Sequence, residues 1–456
     1  MRLHLSTIGL LAFLVAPAAV QTPTTVTLDQ ALRYAAEHYP AVRAALEQVN
    51  ASAAGVRVAR AAFLPRLDSL WQSNRATTNN VFGQLLPQSV IPSISGPVLP
   101  ASAGSVWGSA AGALFSWEAY DFGLRDAVVA GADATLAKAR ADEALTGLQV
   151  QSAVGDAFLG LLAAERVVLA AQADVERRDV LARSVRVLVD NDLRPGADGS
   201  RAEAERAAAL TRLIKARETD ALARTLLARL LGLTDGTVQI AAADLLERTP
   251  AGESAAGSAA EHPLARVSQA AIDEARAQQD VLARTDRPRL FVQSSVFARG
   301  SGAFPDGRLD GGIGGLGFDR ANWSAGLTLV FPNVFDASSL HARKDVAAAL
   351  VRVQAARRDE SVLAISSQRR AAAAMIEAAR AISANTPVQL AAARANEAQA
   401  HARYQAGLAT LLEAAEAQSL LVQSDVQDQL ARIDVWRARL AEAVAQGSLA
   451  PFLNHP

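Results

Sequence analysis

The sequence contains no cysteine. That excludes disulfide frameworks, cysteine-based zinc sites, thiol catalysis and an N-terminal lipidated cysteine. Histidine is sparse, with six scattered residues and no HExxH pattern. The net charge is −1, with Lys and Arg spread evenly along the chain. It lacks the concentrated basic face that phosphate binding needs, so no nucleic-acid partner is expected. No nucleophile, nucleotide or redox motif is present, so no catalytic, cofactor or metal site is expected. Beyond the N-terminus no run of 18 apolar residues occurs, so no transmembrane helix is expected and any crossing must be made with strands.

What is present is a chain of 456 residues, half of them hydrophobic and a fifth charged. That suits two or three ordinary domains or one elongated molecule. A mean hydropathy of +0.13 excludes a disordered chain. Alanine makes up about a fifth of the residues, which favours closely packed helices. Residues 1–20 read as a signal peptide: Arg2 supplies positive charge, Leu3 to Val15 is mostly apolar, and Ala16-Pro17-Ala18 fits a small-residue cleavage site.

The chain repeats itself. His38-Tyr39-Pro40 resembles Glu261-His262-Pro263, and Pro65-Arg66-Leu67 matches Pro288-Arg289-Leu290, both offset by 223 positions. Tyr120-Asp121 matches Phe335-Asp336, and Leu193 with Asp198 matches Leu408 with Glu413, offset by 215. The spacing predicts a first repeat over 21–248, a linker over 249–260 rich in Ala, Gly and Ser, and a second repeat over 261–456. Each repeat reads as helix, strand, strand, helix, helix.

The first helix opens with Thr27 and Gln30 at capping-box spacing, and Pro40 punctuates it. Val42, Ala45, Val49, Ser52, Val56, Ala59 and Phe63 then form a heptad seam that Pro65 ends. Alternation predicts strands over 66–77, 106–117, 289–298 and 322–331. Trp323, Ala325, Leu327, Leu329 and Phe331 fall on one face of the last strand. Leu290, Val292 and Val296 share a face of the one before. Apolar-out, polar-in strands with aromatics near their ends suit a transmembrane barrel; a half-buried soluble sheet alternates in the same way. Long helical patterns follow each strand pair, over 121–232 and 336–447, with a break or kink expected at Asn385-Thr386-Pro387. In the last helix the predicted seam is Leu412, Ala415, Ser419, Val422, Val426, Gln429, Ile433, Trp436 and Leu440.

The segments Val81 to Ser105 and Gly300 to Asp319 read as exposed, mobile loops. The second contains Gly312-Ile313-Gly314-Gly315-Leu316-Gly317, a formal GxGxxG match. A nucleotide fingerprint needs those glycines to open a helix after a strand. Here another strand follows, and no phosphate site is expected.

Four strands cannot close a barrel, for which roughly eight is the usual minimum. An open strand edge is not tolerated in lipid, because its N–H and C=O groups find no partner. The chain must then share a barrel with copies of itself, and three copies would give twelve strands. The long helices would continue from it as a hollow tube.

These residues resemble the TolC family of outer-membrane efflux proteins. The resemblance rests on Leu28-Asp29-Gln30-Ala31-Leu32 with Pro40, Phe63-Leu64-Pro65, Phe115 to Gly123, and Arg403-Tyr404-Gln405-Ala406-Gly407-Leu408 with Glu413. It extends from about Val26 to Gly447. It implies a mainly α protein with a membrane β-barrel: a homotrimer with a 12-strand barrel in outer-membrane lipid, on a long α-helical periplasmic tunnel. It also implies a periplasmic adaptor and an inner-membrane pump as partners. The chain would be a passive exit duct for an efflux pump or a type I secretion system, and not an enzyme.

The resemblance further places the two helix–helix turns, Asn191 to Asp198 and Ala406 to Glu413, at the periplasmic tip. Asp192, Asp198, Tyr404, Gly407, Glu413 and Glu416 are the implied tip and gate residues. Leu290, Val292, Val296, Trp323, Leu327, Leu329 and Phe331 are the implied membrane face. Three copies of the acids around an axis would make a cation-attracting ring; alternatively they are exposed helix-start acids favoured by the dipole. Ala409 stands where some members carry a gating arginine. Two other readings compete: a periplasmic coiled-coil adaptor or scaffold, which should show one hairpin flanked by β-rich modules, and a secreted helical enzyme.

Overall fold

The structure is a computed structural model that describes residues 25–77, 104–233, 238–247, 258–304, 306–332 and 337–453. The expected signal peptide, Asp336, and most of the expected linker and of the first loop lie outside those residues. In chain order the elements are β1 (Thr25–Val26), α1 (Leu28–His38), α2 (Pro40–Ala61), β2 (Arg66–Thr77), β3 (Ser105–Tyr120), α3 (Leu124–Asp190) and α4 (Gly196–Leu230). There follow β4 (Gln239–Ile240), α5 (Ala243–Glu247), α6 (Pro263–Arg284), β5 (Arg289–Ser301), β6 (Arg320–Val330), α7 (Ala337–Gln405), α8 (Leu411–Gln446) and α9 (Ala450–Leu453). No helix among the described residues is long and apolar enough to cross a membrane.

The chain divides into two compact units. The first draws on the segment up to Arg43, on Gly147–Ala256 and on the chain from Ser367 onward; the second comprises Ala44–Thr146 and Gly257–Ser366. The internal repetition is visible in the element bounds. Both ends of α2 and α6 lie 223 positions apart. The ends of α3 and α7, and the starts of α4 and α8, lie 215 apart.

The second unit holds a four-stranded antiparallel sheet in the order β2-β3-β5-β6. It is open, with β2 and β6 at its edges. Its strands of 11 to 16 residues exceed the ~9–11 that a tilted strand needs to cross a bilayer. The register sets Leu290 opposite Leu329, Val292 opposite Leu327 and Val296 opposite Trp323. The same face continues through Trp117 and Phe115 on β3 to Leu67 and Trp71 on β2. Trp71 is 73% exposed, Val296 67%, Trp323 79% and Leu327 72%; Leu290 and Val292 are half-buried. The opposite face carries Asp68, Gln72, Gln293 and Thr328, and the hydroxyls of Ser295 and Ser324 meet across it at 2.7 Å. Phe291 and Phe297 also lie there. A Cβ on Gly112 would stand 2.4 Å from that of Phe297, so β3 needs glycine at that position.

The loop after β5 is more ordered than its composition suggests. Ala303 bridges to Leu309, and Gly314–Leu316 forms a 3-10 turn. The Ser109 hydroxyl donates to the Gly315 carbonyl at 3.1 Å. A Cβ on Gly315 would fall 1.9 Å from the Trp107 carbonyl oxygen. Close backbone approach there requires Gly315, which stands at a variable position of the formal GxGxxG and is buried against β3.

The junction from β3 into α3 rests on Asp121. Its carboxylate accepts from the backbone N–H of Gly123 at 3.1 Å and of Arg125 at 2.7 Å, and from Arg125 Nε at 2.9 Å. Arg125 also donates to the Ala62 carbonyl and lies 4.6 Å over the Phe63 ring. This ties the end of α2 to the start of α3, and it explains why Phe63 is not in the seam: it sits past the helix, 38% exposed under Arg125.

In the first unit, Leu32 of α1, Phe158 and Leu162 of α3, Leu227 of α4, and Ile433 and Leu440 of α8 form one core. The capping box of Thr27 and Gln30 has both its hydrogen bonds, and β1 pairs in parallel with β4. Trp436 donates to the Leu245 carbonyl at 2.7 Å and packs edge-on against Phe452.

Three expectations need correction. The break expected at Asn385-Thr386-Pro387 does not occur: helix α7 continues through Pro387. The Thr386 hydroxyl, buried, donates to Asp428 Oδ1 at 2.9 Å, and Gln389 Nε2 donates to Gln427 Oε1 at 2.9 Å. These bonds to α8 hold the turn helical despite the missing N–H. In the first half of α8 the buried side is Leu411, Ala414, Ala415 and Gln418, then Ser424 and Asp428; Leu412 and Ser419 are exposed. The predicted seam fails there because buried positions bear polar side chains that bond across the hairpin, and it recovers at Ile433, Trp436 and Leu440. The helix expected from residue 121 begins at Leu124, since Asp121 caps it from outside.

Burial alone would raise the Asp121 pKa, but the hydrogen bonds from Arg125 and Gly123 outweigh it and hold the carboxyl below its ordinary value. A depressed carboxylate stabilises the fold above its unfolded pKa, and that contribution is lost as pH falls through the folded value. Asp121→Ala should destabilise the protein by about 3–5 kcal/mol, because it strands the buried Arg125 guanidinium. Thermal melts of wild type and Asp121→Ala at neutral pH and below the carboxylate range should converge at acid pH. A constant gap would contradict the account.

Candidate functional site

The residues that the sequence singles out gather at two turns of the first unit, and both turns are built alike. After α3, Asp192 takes a left-handed conformation with φ 56°; after α7, Gly407 does so with φ 73°. Leu193 N–H donates to the Leu188 carbonyl at 2.8 Å, and Leu408 N–H donates to that of Arg403 at 2.8 Å. The next bonds, Asp192 to Val189 and Gly407 to Tyr404, are both 3.0 Å. These are the paired closing bonds of a left-handed helix end. Aspartate tolerates the conformation better than most residues, and glycine carries no penalty. The following helices start at positions matched by the duplication, behind Pro195 and Thr410. The Thr410 hydroxyl accepts from the Glu413 N–H at 3.3 Å.

The acids do not converge within one chain. Asp192, Glu413 and Glu416 are exposed and Asp198 is half-buried; none makes an ion pair among the described residues. Tyr404 is buried, 6% exposed, in a cluster with Val185, Ala202, Ala409, Leu411 and Ala414. Burial raises its pKa; the nearby Arg194 opposes that and Asp198 adds to it. Ala409 is buried in the same cluster. The arginine of this region is at the matched position of the other repeat: Arg194 lies 5.0 Å over the Tyr404 ring. Tyr404, Arg194, Asp198 and Gly407 thus form one constellation, and the two glutamates stand apart on the first turns of α8.

The charge runs of α3 and α4 conceal a buried network. Arg178, 2% exposed, donates from Nε to Asp174 at 2.9 Å, from Nη1 to Glu205 at 2.8 Å and from Nη2 to the Ser419 hydroxyl at 2.8 Å. Arg212 donates to the second oxygen of Asp174 at 2.9 Å. The network joins α3, α4 and α8. The duplication maps Asp174 and Arg212 onto Gln389 and Gln427, which bond at 2.9 Å. The same cross-hairpin position therefore holds an ion pair in one repeat and an amide pair in the other. The signal available in sequence was this matched pairing.

Asp174→Ala should cost about 3–5 kcal/mol, because it leaves a buried arginine short of its counter-charge. Gln389→Ala should cost about 1 kcal/mol, the net worth of a neutral hydrogen bond. Thermal denaturation of the purified variants checks the order; equal losses would contradict the network.

No protein-family model matches the chain, and no curated protein sequence matches it. Solved structures do. The outer membrane channel CmeC of Campylobacter jejuni matches with a TM-score of 0.74 at 14% identity, over 92% of this chain and 85% of that one. The open state of the outer membrane channel MtrE of Neisseria gonorrhoeae matches at 0.73 and 19%, over 92% and 89%. The outer membrane protein VceC of Vibrio cholerae matches at 0.72 and 18%, over 92% and 96%. The chain therefore has the fold of these outer-membrane channel proteins: a long-helical body carrying a β-sheet that is open in the single chain.

Proposed function

We propose that this chain is one protomer of a TolC-family outer-membrane channel. It would serve as the passive exit duct of a tripartite efflux pump or a type I secretion system, spanning the outer membrane and reaching into the periplasm. The observation that carries the reading is the sheet of the second unit. One face is apolar across all four strands, from Trp71 to Trp323, and both edges are unpaired among the described residues. In lipid those edge groups must find partners. Three copies would pair them in a closed twelve-strand barrel, with Val296, Trp323, Leu327, Leu329 and Phe331 against lipid and Leu290 and Val292 beside them. The likeness to channel folds over 92% of the chain supports it.

In this reading the turns at Asp192 and Gly407 form the periplasmic entrance. Asp192, Asp198, Glu413 and Glu416, repeated threefold, would line it and favour cations. Tyr404 and Gly407 would shape the turn rather than face the axis. The periplasmic adaptor and inner-membrane pump are proposed as partners on the same ground, with energy supplied by the pump. An adaptor identity for this chain has less support, because the helix–strand–strand–helix order occurs twice.

Purified full-length protein added to planar bilayers should give discrete, cation-selective conductance steps. Combining Glu413→Gln and Glu416→Gln should reduce cation selectivity and weaken block by multivalent cations several-fold. Absence of conductance would contradict the duct, and unchanged selectivity and block would contradict the acidic entrance.

A further inference from the structure

Beneath the Arg194–Tyr404 contact lies a cavity of ≈ 640 Å³, wholly within the first unit and lined by α3, the first turn, α7 and α8. Its volume is in the range of sites for small organic ligands. Val180, Leu181, Leu188 and Ala414 supply apolar walls. Among the polar groups that line it, two are buried donors without acceptors. The Tyr404 hydroxyl is buried and has no hydrogen-bond partner, and neither has the buried Nε of Arg177. Arg177 and Arg194 make no ion pair among the described residues. One lining carboxylate, Glu397, is half-buried, and His401 is exposed with its ring nitrogen 2.9 Å from Gln405. The lining thus has one cation in excess. Arg178, one residue along, has acceptors for Nε, Nη1 and Nη2.

The duplication shows that the fold does not require these groups. Positions 177, 189 and 194 of the first repeat match 392, 404 and 409 of the second. Arg177 corresponds to Ala392, Tyr404 to Val189, and Arg194 to Ala409. The same hairpin closes with the same bonds on both sides, yet at each of these matched pairs only one member is polar. A buried donor without an acceptor is costly and calls for an occupant that accepts.

We propose that this cavity is a binding site for a small amphipathic organic monoanion. Its acidic group would accept from the Tyr404 hydroxyl and Arg177, and its apolar body would lie against Val180, Leu181 and Leu188. Glu397 would disfavour a second negative charge on the ligand. The inference concerns binding by this chain and does not depend on whether the assembly conducts.

The probe is 4-bromobenzoate, with neutral 4-bromobenzamide for comparison, and the readouts are titration calorimetry on the full-length protein and bromine anomalous scattering from crystals grown with the probe. One benzoate should bind per chain with bromine inside the cavity, and the amide should bind at least about tenfold more weakly. Tyr404→Phe and Arg177→Gln should each weaken benzoate by about tenfold, the worth of a hydrogen bond to a charged group. Tyr404→Phe keeps the ring and its packing, and Arg177 lies outside the hydrophobic cluster, so both variants should melt like wild type. No binding, equal affinity for acid and amide, or unaltered affinity in both variants would overturn the proposal.

Discussion

Backbone hydrogen bonding at the two edges of one sheet constrains everything else in this molecule. β2 and β6 each have a single neighbour, and the face between them exposes tryptophan, leucine and valine. In water such a face invites aggregation, and in hydrocarbon the bare edges are worse, since each unpaired group costs several kcal/mol. Only pairing with further strands satisfies both demands. The chain has no other strands to offer among its described residues, since β1 and β4 pair with each other in the first unit. The account therefore takes the missing strands from identical copies.

Duplication explains how the helices serve this arrangement. On either side of the two turns the helices stop and start at matched positions, and both turns close with the same pair of hydrogen bonds. Departures from the symmetry are chemical and not architectural. An ion pair replaces an amide pair at Asp174 and Arg212, a stacked arginine sits opposite an alanine at Arg194 and Ala409, and a buried tyrosine stands opposite a valine.

The strands were legible because period-two alternation survives in a sheet with one apolar face: β2 keeps its expected bounds, β3 and β5 are longer by a few residues, and β6 starts two residues early and ends at Val330, leaving Phe331 just past it. The capping box at Thr27 and the punctuation at Pro40 were equally plain, because local chemistry determines them. What sequence could not give followed from tertiary contacts. Pro387 reads as a breaker, but the bonds from Thr386 and Gln389 to α8 override it. The seam of Leu412 and Ser419 looked regular, but buried Gln418, Ser424 and Asp428 occupy the interior. The named turn residues were found by motif, while Arg178 and Arg177 were hidden in charge runs whose individual positions look alike until the helices pack.

The central claim is that identical chains complete one another's sheet. Native mass spectrometry of the full-length protein, extracted from membranes and held in lipid nanodiscs, counts the copies directly. The account predicts a single stable species of three chains. A lone chain that remains folded and embedded in the lipid would contradict it.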